Sequence, residues 1–164
     1  MQSSVLDPIQ LSILGHVCMA LVLGALIGID RELADKPAGL RTHMLVAGAS
    51  ALFILLGESL LRQFHSDSVS IQSDPFRLIS AVVLGISFLG AGTIIRRDAA
   101  GKVEGLTTAA SILIAAAIGI CVAVSQFLLA IGVTCLVVGV LRGLHFLERR
   151  LRRYAPRGHK PISS

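Results

Sequence analysis

The residues of this sequence that could do chemistry are concentrated in two segments. The first, GIDRELADKPAGLRTHMLV from Gly28 to Val46, holds Asp30, Arg31, Glu32, Asp35, Lys36, Arg41 and His43. Their signs alternate, so the middle reads as a solvated loop with internal ion pairs. The ends read differently. Asp30 and Arg31 directly follow an apolar run, and Arg41, Thr42 and His43 directly precede another. Charge at such a boundary is costly unless it finds a partner. The second segment, FLGAGTIIRRDAAGKVEGLTTAAS from Phe88 to Ser111, carries Arg96, Arg97, Asp98, Lys102 and Glu104 ahead of Gly105-Leu106-Thr107-Thr108. Thr107 and Thr108 open a helix, where hydroxyls can cap free N–H groups. The same N–H groups and the helix dipole would also favour an anion, such as a carboxylate from the first segment. We expect Asp30 and Glu104 to pair with Arg41 and Arg96, with Arg31, Glu32, Thr42, His43, Thr107 and Thr108 completing one polar cluster.

Outside these segments little chemistry is on offer. No Cys/His pair in a polar setting, nucleophile elbow or phosphate-cradling loop is visible, so an enzyme is not expected. Cys18, Cys121 and Cys135 fall in apolar stretches and are odd in number, which suits packing better than a disulfide framework or a metal site. A Mg²⁺ path should show oxygen ligands near mid-membrane. Glu58 is the one acid inside an apolar run. It lies about 22 Å of helix beyond His43, so it reads as an interfacial residue rather than part of an ion path. His16 reads as a neutral packing side chain rather than a proton relay. No cofactor is firmly implied, Mg²⁺ stays open as a ligand, and the metal-binding residues are not assigned.

The elements that position these groups follow from hydropathy. Of the 164 residues 54% are hydrophobic and only 15% charged, with a mean hydropathy of +0.78, which excludes both an ordinary soluble domain and a disordered chain. Uncharged or nearly uncharged runs cover residues 9–29, 43–61 and 78–95, each near the length needed to cross a bilayer. From Leu106 to Leu141 there are 36 residues without charge, roughly 54 Å as one helix against a hydrocarbon core of about 30 Å. We divide this run at Ser125-Gln126, giving spans 106–124 and 127–141. The expected fold is therefore an all-α integral membrane protein with five transmembrane helices over residues 1–141. No Lys or Arg precedes the first run, so it reads as a retained helix rather than a cleaved signal.

Lys and Arg set the orientation. With five spans, one side collects thirteen: Arg31, Lys36, Arg41, Arg96, Arg97, Lys102 and seven in residues 142–164. The other side has two, in the loop from Arg62 to Arg77. The positive-inside rule puts the amino terminus outside and the carboxyl terminus in the cytoplasm. Residues 142–164 read as a basic amphipathic tail suited to anionic headgroups, and nucleic acid is not an expected partner. Gly24-x-x-x-Gly28, Ala81-x-x-x-Gly85 and Ala115-x-x-x-Gly119 offer small faces for helix packing, and Gly90 and Gly92 permit a kink or close contact. Five short helices bury few faces, so a homodimer is the expected assembly.

The two polar segments together closely resemble the signature regions of the MgtC/SapB family of bacterial inner-membrane proteins, through AGLRTH and GLTTAA in particular. The resemblance covers roughly Gly15 to Leu141. Position by position, the family's characteristic residues correspond to Asp30, Arg31, Glu32, Gly39, Arg41, Thr42 and His43, then to Gly90, Gly92, Gly105, Thr107 and Thr108. Asp30 stands where Glu is more common, and Leu113 where an aromatic is common. Longer members append a soluble cytoplasmic domain, so this chain resembles a short form without it. The resemblance implies an inner-membrane protein tied to magnesium limitation, acid stress or survival in a host, modulating other membrane functions, with other membrane proteins among its candidate partners. The alternative is a small Mg²⁺ or cation transporter gated by the charged loops.

Overall fold

The computed structural model describes residues 7–65, 75–96 and 103–154. The described residues are helical apart from short turns and one pair of two-residue strands. Helices α1 (Pro8–Leu33), α2 (Leu40–His65), α3 (Pro75–Ala91), α4 (Leu106–Ala123) and α5 (Phe127–Tyr154) follow in order, with strands β1 (Ile95–Arg96) and β2 (Val103–Glu104) between α3 and α4. Among the described residues, three stretches are long and apolar enough to cross a membrane: Pro8–Leu33, Leu40–Arg62 and Leu106–Ala123. The apolar parts of the other two helices are shorter, Phe76–Ala91 and Phe127–Gly143.

Local chemistry sets the ends of these helices. Asp7 caps α1, its carboxylate accepting the Ile9 N–H at 3.1 Å ahead of Pro8 in the first turn. At the other end Asp35 takes a left-handed φ of 53°, the Lys36 N–H reaches the Arg31 carbonyl and the Asp35 N–H that of Glu32. This is a Schellman stop with a non-glycine residue at its left-handed position. The long apolar run is broken in the same way. Ser125 has φ 59°, and the N–H groups of Gln126 and Ser125 return to the carbonyls of Cys121 and Val122.

Packing is built on α1, α2 and α4. One core joins Ala20, Leu23 and Ile27 of α1, Ala47, Ala51 and Ile54 of α2, Ile118, Val122 and Ala123 of α4, and Ala130 of α5. A second joins Ala38 and Val46 to Ile112, Ala115 and Ala116, with Ile86 of α3 against it. Small residues let the backbones touch. A β-carbon at Gly24 would lie 2.5 Å from the His43 carbonyl oxygen, and one at Gly28 would lie 2.6 Å from the Leu40 Cα. At Gly119 a β-carbon would overlap the Ala47 carbonyl. Gly90 sits in ordinary contact with Ala109, at 3.6 Å. The packing role expected of Gly85 and Gly92 finds no facing helix: Gly85 meets open space and Gly92 only carbonyls of its own helix end.

The structure also revises several boundaries. α2 starts at Leu40 rather than His43, which carries Arg41, Thr42 and His43 into its first turn. α3 ends at Ala91, and Ile95 belongs to a strand instead of a span. Arg96 and Glu104, expected in an irregular loop, lie in an antiparallel pair with Ile95 opposite Glu104 and Arg96 opposite Val103. α5 runs without a break through Arg142 to Tyr154, so the first part of the expected amphipathic tail continues the helix of residues 127–141. Residues 66–74, Arg97, Asp98 and Lys102, the side chains of the basic tail from residue 144 and the chain after Tyr154 lie outside the described residues.

Candidate functional site

Three helix ends converge at one end of the bundle. Arg31 is in the last turn of α1, His43 in the first turn of α2, and Thr108 and Ser111 stand one turn apart on α4. All four are enclosed, with exposures of 4% for Arg31, 0% for His43, 2% for Thr108 and 3% for Ser111. The Arg31 guanidinium donates through Nη2 to Thr108 Oγ1 at 3.1 Å. His43 Nδ1 lies 2.8 Å from the Gly39 carbonyl oxygen, so Nδ1 carries a proton and donates. His43 Nε2 lies 2.9 Å from Ser111 Oγ, which is also 2.8 Å from the Thr108 carbonyl oxygen. The hydroxyl has one hydrogen to give. With the ring neutral it goes to Nε2, and with the ring doubly protonated Nε2 donates instead and the hydroxyl turns to Thr108.

Backbone geometry makes these contacts reachable. The close approach at Gly24 and Gly28 sets α1 against the start of α2, and the contact of Gly119 with Ala47 sets α4 against α2. Glu32 folds back so that its Oε2 accepts the Leu40 N–H at 2.7 Å. This satisfies a first-turn N–H of α2 and places a carboxylate at its positive end. Gly39 leaves room for that carboxylate, since a β-carbon there would lie 2.5 Å from Glu32 Oε2.

The expected pairing of Asp30 is revised, while that of Glu104 with Arg96 falls on a side chain outside the described residues. Asp30 Oδ1 lies 3.0 Å from Arg142 Nε on α5, rather than pairing with Arg41. Arg41 is on an exposed face of α2, whereas α5 lies along α1 and carries Arg142 to Asp30. Thr42 is half-buried, Thr107 and Glu104 are exposed, and the Arg96 side chain is outside the described residues. Of the expected cluster, Arg31, His43 and Thr108 meet at the helix junction, while Asp30 and Glu32 bind separate partners beside it. Sequence reasoning missed Ser111 and Arg142 as members. The spacing of Thr108 and Ser111, three apart on one helix face, was a signal for the first; Arg142 directly follows an apolar run, the boundary signal that also marked Asp30 and Arg31.

The other end of the bundle holds different groups. His16 Nδ1 lies 2.8 Å from the Ser12 carbonyl oxygen, its Nε2 lies 3.3 Å from Ser125 Oγ, and its ring is 5.3 Å from that of Phe127. Glu58 pairs with Arg62 one turn on, both exposed. A cleft of about 680 Å³ between Ile9, Ile13, Leu55 and this pair opens there, next to another of about 530 Å³ reaching His16. Cys18 and Cys135 are exposed, Cys121 is half-buried, and all three are free thiols. Among the described residues no group of three His, Cys, Asp or Glu side chains is placed to hold a metal ion.

The sequence profile of the MgtC family matches residues 17–150, a stretch that contains the whole helix junction. The chain belongs to the MgtC family. It is 39% identical over 123 residues to the protein MgtC of Salmonella typhimurium strain LT2, covering 75% of this chain and 48% of that protein. With an Escherichia coli K12 protein, YhiD, provisionally named a magnesium transporter, identity is 38% over 136 residues, 82% of this chain and 61% of the relative. An uncharacterized Haemophilus influenzae protein is 32% identical over 155 residues, 94% of this chain and 65% of its own. The chain thus spans between about half and two thirds of the length of these MgtC-family relatives. No solved structure matches it.

Proposed function

We propose that this MgtC-family chain is a non-enzymatic protein of the bacterial inner membrane that modulates other membrane functions during magnesium limitation, acid stress or survival in a host. The observation that carries this reading is the position of Arg31. A guanidinium held at the junction of α1, α2 and α4 is a fixed positive charge where a cation path through the three apolar helices would begin. Hard divalent cations are held by oxygen ligands, chiefly carboxylates, whereas a guanidinium repels them and an imidazole is a poor ligand for them. Donors of this kind fix helices to one another and leave the surrounding surface for partner proteins.

The same proposal includes five crossings with the amino terminus outside. Contacts of His16 with Phe127 and of Asp30 with Arg142 make α1 and α5 run in the same sense. Those of Arg31 with Thr108 and of His16 with Ser125 make α4 run against α1. Arg31, Lys36, Arg41 and Arg142 thereby gather at one end, as the positive-inside rule requires of a cytoplasmic face. Exposed Leu84 and Phe88 on α3, and Leu128 and Leu136 on α5, suit lipid or a second copy in a homodimer.

The name of the Escherichia coli relative favours a second reading, a small Mg²⁺ carrier gated by the charged loops. Full-length protein in liposomes loaded with a Mg²⁺ or proton indicator separates the two. Flux no greater than in empty liposomes is expected, and flux above them that Arg31→Ala alters would replace the modulator by the carrier.

A further inference from the structure

Two positive features meet in this fold, and Asp30, the acid beside Arg31 that attracts it, has its hydrogen bond taken by Arg142. Arg31 is almost fully enclosed, bonds Thr108 through Nη2, and has no hydrogen-bond partner at Nε. The guanidinium rests against the first turn of α4, an 18-residue helix whose N-cap, Gly105, has φ 94° and no side chain to cap with. Ala109 is the residue whose N–H reaches the Gly105 carbonyl. The N–H groups of Leu106, Thr107 and Thr108 therefore face the end of the helix, where its dipole is positive. The nearby acids of α1 are turned elsewhere, Asp30 to Arg142 and Glu32 to the Leu40 N–H. Among the described residues no carboxylate lies within ion-pair distance of Arg31.

A buried cation set against a helix N-terminus is unfavourable unless an anion is shared between them. We infer that Arg31 and the first turn of α4 form a binding site for a phosphate oxyanion. Its floor is the Arg31 guanidinium with the Thr108 hydroxyl, and its mouth is the N–H groups of the first turn with the exposed Thr107. Leu106 is 59% exposed there, while the Thr93 carbonyl packs against Gly105 beside it. A planar fork of donors beside several backbone N–H groups suits a tetrahedral anion with oxygens in more than one direction. Free phosphate and the headgroup of an anionic phospholipid share that chemistry. The binding anion would tie the end of α1 to the start of α4, and through Thr108 and Ser111 to His43 on α2.

The test uses the full chain in nanodiscs. In phosphatidylcholine discs, inorganic phosphate is titrated at constant ionic strength and binding is read by calorimetry. In discs containing phosphatidylglycerol, native mass spectrometry reads the lipid retained. The site predicts saturable phosphate binding in the first arm, or selective retention of phosphatidylglycerol in the second. Either should weaken at least tenfold in Arg31→Lys, which keeps the charge but not the fork, and severalfold in Thr108→Val. Arg41→Gln, on the exposed face of α2, should leave it unchanged. If Arg31→Lys does not fold, Thr108→Val and Thr107→Val carry the comparison. No saturable binding in either arm, or equal binding by the wild type and the folded variants of the site, overturns the proposal.

Discussion

The guanidinium of Arg31 lies 3.1 Å from the hydroxyl of Thr108, across 77 residues of sequence, while the carboxylate of the adjacent Asp30 points to Arg142 on another helix. Adjacent and opposite in charge, Asp30 and Arg31 therefore serve two different interfaces. The inner one is enclosed, so it answers to the cost of burying polar groups, whereas the outer one is partly solvated and answers to screening.

At the inner contact, Thr108→Val preserves shape and removes the oxygen that Nη2 uses. Leaving that donor enclosed should cost about 1–3 kcal/mol of stability. Thermal unfolding in detergent reads the loss, and Thr108→Ser, which restores the hydroxyl, should recover most of it. Equal midpoints for the wild type and Thr108→Val would remove the contact from any account of stability.

The outer contact should behave as a charge pair. Arg142 is 63% exposed at its side chain, so Asp30→Asn is expected to cost only about 0.2–1 kcal/mol, less at high salt. The swap of Asp30→Arg with Arg142→Asp should recover more stability than either single reversal retains. A double-mutant cycle with no coupling would contradict the pairing.

Close helix contact predicts sharply different outcomes for chemically identical substitutions. Gly119→Ala places a methyl group into the Ala47 carbonyl and Gly24→Ala places one against that of His43. Each should force the helices apart at a cost of roughly 1–3 kcal/mol. Gly132→Ala, where nothing lies within contact distance, should be neutral or stabilising by up to about 1 kcal/mol through helix propensity. Parallel unfolding curves for the three variants decide it.

Helix termini give one loss and one gain. Glu32→Ala removes the acceptor at the start of α2 and should cost about 1 kcal/mol. Asp35→Gly relieves a left-handed residue, φ 53°, and should stabilise by about 1 kcal/mol. A destabilised Asp35→Gly would mean that the Asp35 side chain contributes more than its backbone conformation costs.

Much of this protein follows from the sequence alone because it depends on composition over long windows. Apolar runs that water cannot solvate must become helices, and 36 uncharged residues are too many for one crossing, so a break at Ser125-Gln126 was legible in its length and its two polar residues. The two polar segments were legible too, because charge beside an apolar run is rare enough to stand out. What the sequence could not decide is partnership. Asp30 and Arg41 are near in sequence, but helical phase turns Arg41 outward and the lie of α5 along α1 supplies Arg142 instead. Glycines at 85 and 119 follow the same small-x-x-x-small spacing, yet only Gly119 meets another backbone. A continuous α5 beyond residue 141 and the pairing of Ile95–Arg96 with Val103–Glu104 likewise rest on backbone hydrogen bonds that hydropathy does not encode. Local physics determined which segments are helices and where charge gathers; the close approach of α1, α2 and α4 decided that Arg31, His43, Thr108 and Ser111 form one enclosed site.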